Sequence, residues 1–150
     1  MKITPTVDDK RLQRKLDQQI REQPRQVQTV LGRTAEFLMG LIKQRTQKGE
    51  DPDGKNFASY APYTPEYKTF RREKGRQVNF PDLNFSGQML SNMTQKSNPT
   101  QAIIFFANKF QAMKAVGNQK KRKFFAIGDR ETTTLINFFA KEFKKVNKLI

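Results

Sequence analysis

Met93-Thr94-Gln95-Lys96-Ser97-Asn98-Pro99-Thr100-Gln101-Ala102-Ile103-Ile104-Phe105-Phe106 separates a purely helical chain from a mixed one. Ser97-Asn98-Pro99-Thr100 is a run of turn-formers between two segments of strand length, so the stretch reads as a β-hairpin. The second arm, Gln101 to Phe106, is nearly continuous in apolar residues, which places it at the centre of a small sheet. Upstream, Ser86 is placed to cap a brief helical segment through Met89, Leu90 and Met93, and Asn79 to Phe85 is irregular. Downstream, Asn108 to Val116 reads as a short helix ended by Gly117. Lys120-Lys121-Arg122-Lys123 then leads into Phe124-Phe125-Ala126-Ile127-Gly128, a third strand or an extended arm.

Both ends of the chain are helical in pattern. Leu12, Leu16 and Ile20 form a thin apolar stripe, and Asp8 and Asp9 stand where a helix dipole favours negative charge. One thin stripe stabilises little alone, so this first helix is expected to lean on something else. Pro24 suits the first turn of a second helix. Val27, Val30, Leu31, Ala35, Leu38, Leu41 and Ile42 keep a helical period to about Lys48, with Phe37 and Met39 widening the face, and Gly49 ends the run. Gly49 to Asn56 is rich in turn-formers. Thr64-Pro65-Glu66 opens a short helix with a good cap, carrying Tyr67 and Phe70 and stopping at Gly75. Asp129 starts the last helix, whose apolar face is Leu135, Phe138, Phe139, Phe143 and Val146. Lys141, Lys144, Lys145 and Lys148 lie towards its end, where cations suit the dipole. The fold class is therefore α+β, with several helices packed on a small antiparallel sheet and long helices at both ends. Residues 1–23 form a helical arm and 24–150 a single domain.

Composition narrows the chemistry. The chain has 150 residues, and a domain of that size buries roughly 70% of the surface its unfolded chain exposes. With 13 Phe and no Trp, phenylalanine supplies the large buried area. Cys and His are both absent. That excludes disulfides, thiolate or imidazole metal sites, cysteine nucleophiles and any Ser-His-Asp relay. Met1 to Pro5 lacks the apolar core of a signal peptide, and no apolar run is of spanning length, so a soluble protein made in the cytoplasm is expected, without membrane contact. The formal net charge of +15 attracts polyanions, whether nucleic acid or acidic protein faces.

Four features invite a functional reading. Glu50-Asp51-Pro52-Asp53-Gly54 suggests calcium, but Lys55 follows at once and no acid closes the loop, so a tight turn is favoured. Pro81-Asp82 with Glu142-Phe143-Lys144 formally matches a metal-dependent nuclease pattern, although Glu142 falls on an amphipathic helix rather than a strand. Two basic clusters remain, Lys68, Arg71, Arg72, Lys74 and Arg76, and then Lys114 with Lys120, Lys121, Arg122 and Lys123. These are the candidates for contact with a polyanion or a protein neighbour, with Tyr60, Tyr63 and Tyr67 the aromatic rings expected at the surface. No phosphate-binding glycine loop is present, no cofactor or metal is implied, and no enzyme is expected.

The order of landmarks resembles the Mu-type virion morphogenesis or tail-completion proteins of tailed phages, with their relatives among minor tail and neck proteins. The resemblance begins at Leu41-Ile42-Lys43-Gln44-Arg45 and Asp51-Pro52-Asp53-Gly54-Lys55-Asn56-Phe57, and continues through Tyr60, Tyr63, Thr64 and Tyr67. It goes on through Leu83-Asn84-Phe85-Ser86-Gly87-Gln88-Met89-Leu90, the hairpin, Gly117 and Arg122-Lys123-Phe124-Phe125-Ala126-Ile127-Gly128. The resemblance implies a structural subunit of a neck or tail-completion ring, a terminator or connector that joins the head connector to the tail tube. Its partners would be copies of itself and other neck, portal-connector or tail-tube proteins, and its place the virion. Phe57, Phe124 and Phe125 would anchor loops on the core. Non-specific contact with packaged DNA would belong to that ring as well, and the alternative is a basic module that binds DNA without reading its sequence.

Overall fold

The computed structural model describes residues 1–5 and 9–147. Asp8 and Lys148, read above as dipole-complementing charges, lie outside the described residues. The order of elements is β1 (Lys2–Ile3), α1 (Lys10–Glu22), α2 (Pro24–Gln47), α3 (Pro65–Glu73), α4 (Gln88–Ser91), β2 (Met93–Asn98), β3 (Gln101–Phe106), α5 (Lys109–Lys121) and α6 (Asp129–Val146). A 3₁₀ turn covers Phe57–Ser59. The fold is α+β, with a three-stranded antiparallel sheet in the order β1-β3-β2. No helix among the described residues is long and apolar enough to cross a membrane.

The chain forms two compact units. The first comprises Met1–Met39, Thr94–Phe105 and Arg130–Ile150. Here the expected hairpin forms, with Pro99 and Thr100 of the Ser97-Asn98-Pro99-Thr100 run between its strands. Asn98 Oδ1 accepts from the amides of Thr100 and Gln101, both at 2.9 Å, and closes the chain reversal. β3 is central, as its apolar run requires, but its second neighbour is not Phe124–Gly128. It is β1, paired antiparallel with Lys2 opposite Ile103 and Ile3 opposite Ala102. The part of α2 in this unit buries Val27, Val30, Leu31, Ala35 and Leu38. Gln28 Nε2 donates to the Ser97 carbonyl at 2.9 Å, and Gly32 lies beneath the Gln95 and Ser97 side chains, so the hairpin rests on this helix. On another side of α2, Phe37 stacks on Phe138 of α6 with centroids 4.3 Å apart. α1 is capped by Asp9, whose carboxylate accepts from the Arg11 and Leu12 amides and is held below its ordinary range by those bonds. Of its stripe, only Leu16 is fully buried.

The second unit comprises Gly40–Met93 and Phe106–Asp129. The end of α2 enters it with Ile42 and Arg45 buried. Gly49 follows at φ +80°, with its α-carbon so close to the Phe80 ring that a β-carbon would lie 2.5 Å from it. Phe124–Gly128 is an extended arm and not a strand, because side chains rather than a neighbouring strand answer its backbone. Arg45 Nη2 donates to the carbonyls of Phe124 (2.7 Å) and Ala126 (2.6 Å), while Gln119 Oε1 accepts from the Phe124 and Phe125 amides. Gly128 then passes so near the Pro52 carbonyl that any side chain there would collide with backbone. Phe57 and Phe124 are fully buried anchors, and Phe125 is half-buried. Gly87 rather than Ser86 holds the N-cap position of α4, at φ +78°, and the Ser86 hydroxyl accepts from the Gln88 amide at 3.5 Å. α5 begins at the Asn108 cap and runs through Gly117 to Lys121, four residues beyond the expected stop. Gly in a helix interior costs only about 1 kcal/mol, which packing of α5 against α4 offsets.

In the first unit Glu142 of α6 accepts from Lys145 at 2.7 Å and Arg33 at 3.1 Å, and these bonds hold its carboxyl below the ordinary range. A depressed carboxyl contributes stability above its unfolded pKa and loses that contribution as pH falls through the folded value. Urea unfolding followed between neutral and acid pH is therefore expected to show a loss of stability in acid that is smaller in Glu142→Gln than in the parent.

Candidate interaction cleft

Thr64 caps α3 through its hydroxyl and Pro65 fixes the first turn, which directs Tyr67, Phe70 and Arg71 along successive turns of a nine-residue helix. Arg71 is the surprise of this helix. The sequence places it among the cations expected to meet a polyanion or a neighbour, yet it is 1% exposed. Its Nη2 lies 3.2 Å from both carboxylate oxygens of Asp82, and its Nε donates to the Gln77 carbonyl at 2.8 Å. Its guanidinium stands over the Tyr63 ring at 4.7 Å. Asp82 is in turn saturated, accepting from the Tyr63 hydroxyl (3.0 Å), Gln77 Nε2 (2.7 Å) and the Asn84 amide (3.0 Å). The Tyr63 hydroxyl also accepts from the Asp82 amide.

Tyr63 is thereby buried rather than exposed. Desolvation first, opposed by the Asp82 amide and reinforced by the Asp82 charge, pushes its phenol up to about 12. The sign is that of a neutral group stabilised by folding, so its contribution is complete below the ordinary value of 10.0 and disappears as pH rises towards 12.

Arg122 reaches the same ring from the end of α5, with its guanidinium 5.6 Å from the Tyr63 centroid. It too departs from the surface role expected of it, being 9% exposed. Its Nε and Nη2 donate to the carbonyls of Ala61 (2.7 Å) and Pro62 (3.2 Å). Burial draws its pKa down from the ordinary value. No carboxylate among the described residues pairs with it.

Around these two arginines opens a cleft of about 1050 Å³ between α3, the 83–87 loop, α4 and α5. Tyr67, Phe70 and Phe85 form a near-parallel row along it, with centroid spacings of 6.0 and 5.5 Å. Lys114 and Lys121 line it beside Arg71 and Arg122, and no Asp or Glu does. The structure thus brings members of both basic clusters to one cleft. Lys68, Arg72, Lys74, Arg76, Lys120 and Lys123 stay off its lining; Lys68 is half-buried and the others are exposed. Lys74 and Arg76 cover the Phe70 and Phe85 rings, and Lys123 lies 3.8 Å from Asp53.

The two readings built on acids resolve into structure. Asp51 Oδ1 accepts from the amides of Asp53 and Lys55 and closes the tight turn favoured over a calcium loop. Asp82 and Glu142 belong to different units, and each is engaged by its own cations, Arg71 for one and Arg33 with Lys145 for the other. Among the described residues no three acids gather in a group that could hold a metal ion. No family model, curated protein or solved structure matches the chain.

Removing Asp82 would leave Arg71 buried without its counter-charge, which typically costs about 3–5 kcal/mol. Asp82→Ala is expected to lose stability on that scale in urea unfolding. The double variant Arg71→Met with Asp82→Asn, which removes both charges, is expected to lose less.

Proposed function

We propose that the protein is a structural subunit of a tailed-phage neck or tail-completion ring, a terminator or connector between head connector and tail tube, and that it turns over no substrate. The observation that carries this reading is the outer face of α5. Phe110, Met113 and Val116 are 62%, 64% and 58% exposed, while Gln111 and Ala115 are the buried residues of the same helix. Their spacing of three places them on one face, where an isolated domain gains nothing from large apolar groups in water. A subunit that closes head-to-tail with its copies covers such a face once per interface. Lys109, Lys114 and Lys120 around it would set register against an acidic edge of the neighbour.

The landmarks of the tail-completion resemblance also support the reading, since each has a structural task in one unit. Arg45 ties down the extended arm, Asp51 closes the turn, Phe57 fills the core, and Arg122 with Phe124 joins the arm to residues 61 and 62. A second reading, a module that binds DNA without reading sequence, is favoured by α5 itself, which carries four lysines and no acid. Backbone phosphates need only such donors on a common face.

The mass of the purified protein in solution at moderate salt, alone and with short duplex DNA, tests both. A discrete oligomer unchanged by DNA is expected, and Met113→Asp is expected to return it to monomer with its circular dichroism intact. A monomer that binds duplex DNA with a steep salt dependence would put the DNA module in its place. A monomer indifferent to DNA would contradict self-assembly.

A further inference from the structure

Arg122 is a buried cation that the described residues do not neutralise. Two of its guanidinium nitrogens are used on neutral carbonyls, and Nη1 meets no acceptor among the described residues. A charge drawn out of water and answered only by neutral carbonyls and the Tyr63 ring is costly, and the cost falls when an anion arrives. The cleft beside it is prepared for one, since no acid lines it and Lys114 and Lys121 stand beside Arg122 and the Asp82-paired Arg71.

We propose that this cleft is a docking site for an extended acidic segment of a protein neighbour, with an Asp or Glu carboxylate on Arg122 and an adjacent apolar side chain along the Tyr67–Phe70–Phe85 row. The row discriminates between the two polyanions that a basic aromatic cleft could take. A single strand of nucleic acid would need free ring faces on which bases stack. Here Phe70 lies near-parallel to both Tyr67 and Phe85, and the guanidinium of Arg71 lies within 5.8 Å of the Tyr67 centroid and 5.9 Å of that of Phe85. Arg76 stands over Phe85 as well, at 5.7 Å. Each ring of the row is thus already engaged by another ring or a guanidinium of the chain, while Tyr67 and Phe70 keep 37% and 43% of their surface exposed. Ring edges carry partial positive charge and suit apolar groups and carboxylate oxygens better than bases. Lys114 and Lys121 flank the cleft as point charges that tolerate a variable acidic sequence.

The inference deepens the proposed function and rests on it for the presence of protein neighbours. It is tested without assembly, by panning a displayed library of random linear peptides against the full chain. The tightest selected peptide and labelled oligothymidylate are then titrated in parallel. Selected peptides are expected to be enriched in Asp or Glu next to a large apolar residue. Arg122→Gln should weaken the peptide by about tenfold or more, as loss of a charge-assisted partner does. Because Arg122 also holds residues 61 and 62, the exposed Lys114→Glu provides a second variant and should weaken it several-fold, while Lys96→Glu in the other unit should not. Selection without acidic enrichment would overturn the proposal, as would binding indifferent to both cleft substitutions. Oligothymidylate binding that depends on Arg122 and Lys114 would assign the cleft to nucleic acid instead. A cleft that binds acidic peptide in a monomeric protein would uphold this proposal and sink the ring.

Discussion

A guanidinium removed from water must be answered by opposite charge and by hydrogen bonds, and Arg71 finds both in the loop that follows its own helix. Asp82 supplies the charge, Gln77 a carbonyl, and Tyr63, Tyr67 and Phe85 the ring surfaces around it. Between Glu73, where α3 ends, and Gln88, where α4 starts, the chain has no regular structure of its own. The bonds converging on Asp82 hold part of that stretch in one conformation. The loop then carries Phe85 to Phe70, and the cleft acquires its aromatic row. An ion pair of this kind adds little net stability over an apolar substitute. What it provides is a fixed path for a loop that packing alone would leave underdetermined.

The same device recurs in the other irregular segment. Phe124–Gly128 has the composition of a strand, and its backbone groups would be satisfied in a ladder. Instead Arg45 and Gln119 serve them from two helices. Side-chain clamps, rather than secondary structure, thus order two of the stretches that carry landmarks of the tail-completion resemblance.

Regular elements were largely legible in the residues, since helices and the hairpin are dictated by local periodicity, caps and turn chemistry. α2, α3, α6, the Asn98 turn and the central place of β3 follow from such local signals. β1 was not legible, because two residues have no period and are strand only through pairing with β3. The extended arm was ambiguous for the opposite reason, its strand-like pattern being overridden by partners distant in sequence. Gly117 misled because a glycine inside a helix looks like a stop until packing is known. In the cleft, the basic clusters could be read as charge but not as burial. Lys68, Arg71, Arg72 and Lys74 are alike in sequence, and only the position of Asp82 and Tyr63 selects Arg71 for the interior. That Arg71 and Arg122 meet at one ring is a long-range fact without a local signal.

If the ion pair and the phenol organise the second unit, the phenol should report it. Spectroscopic titration of the three tyrosines in alkali tests this most directly, with Tyr63→Phe to assign the signal. One phenol is expected to resist ionisation until about 12, and its loss of a proton should coincide with loss of the near-ultraviolet signature of packed aromatic rings. Three phenols ionising together near the ordinary value, with the aromatic signature unchanged, would contradict the network on which the cleft is built.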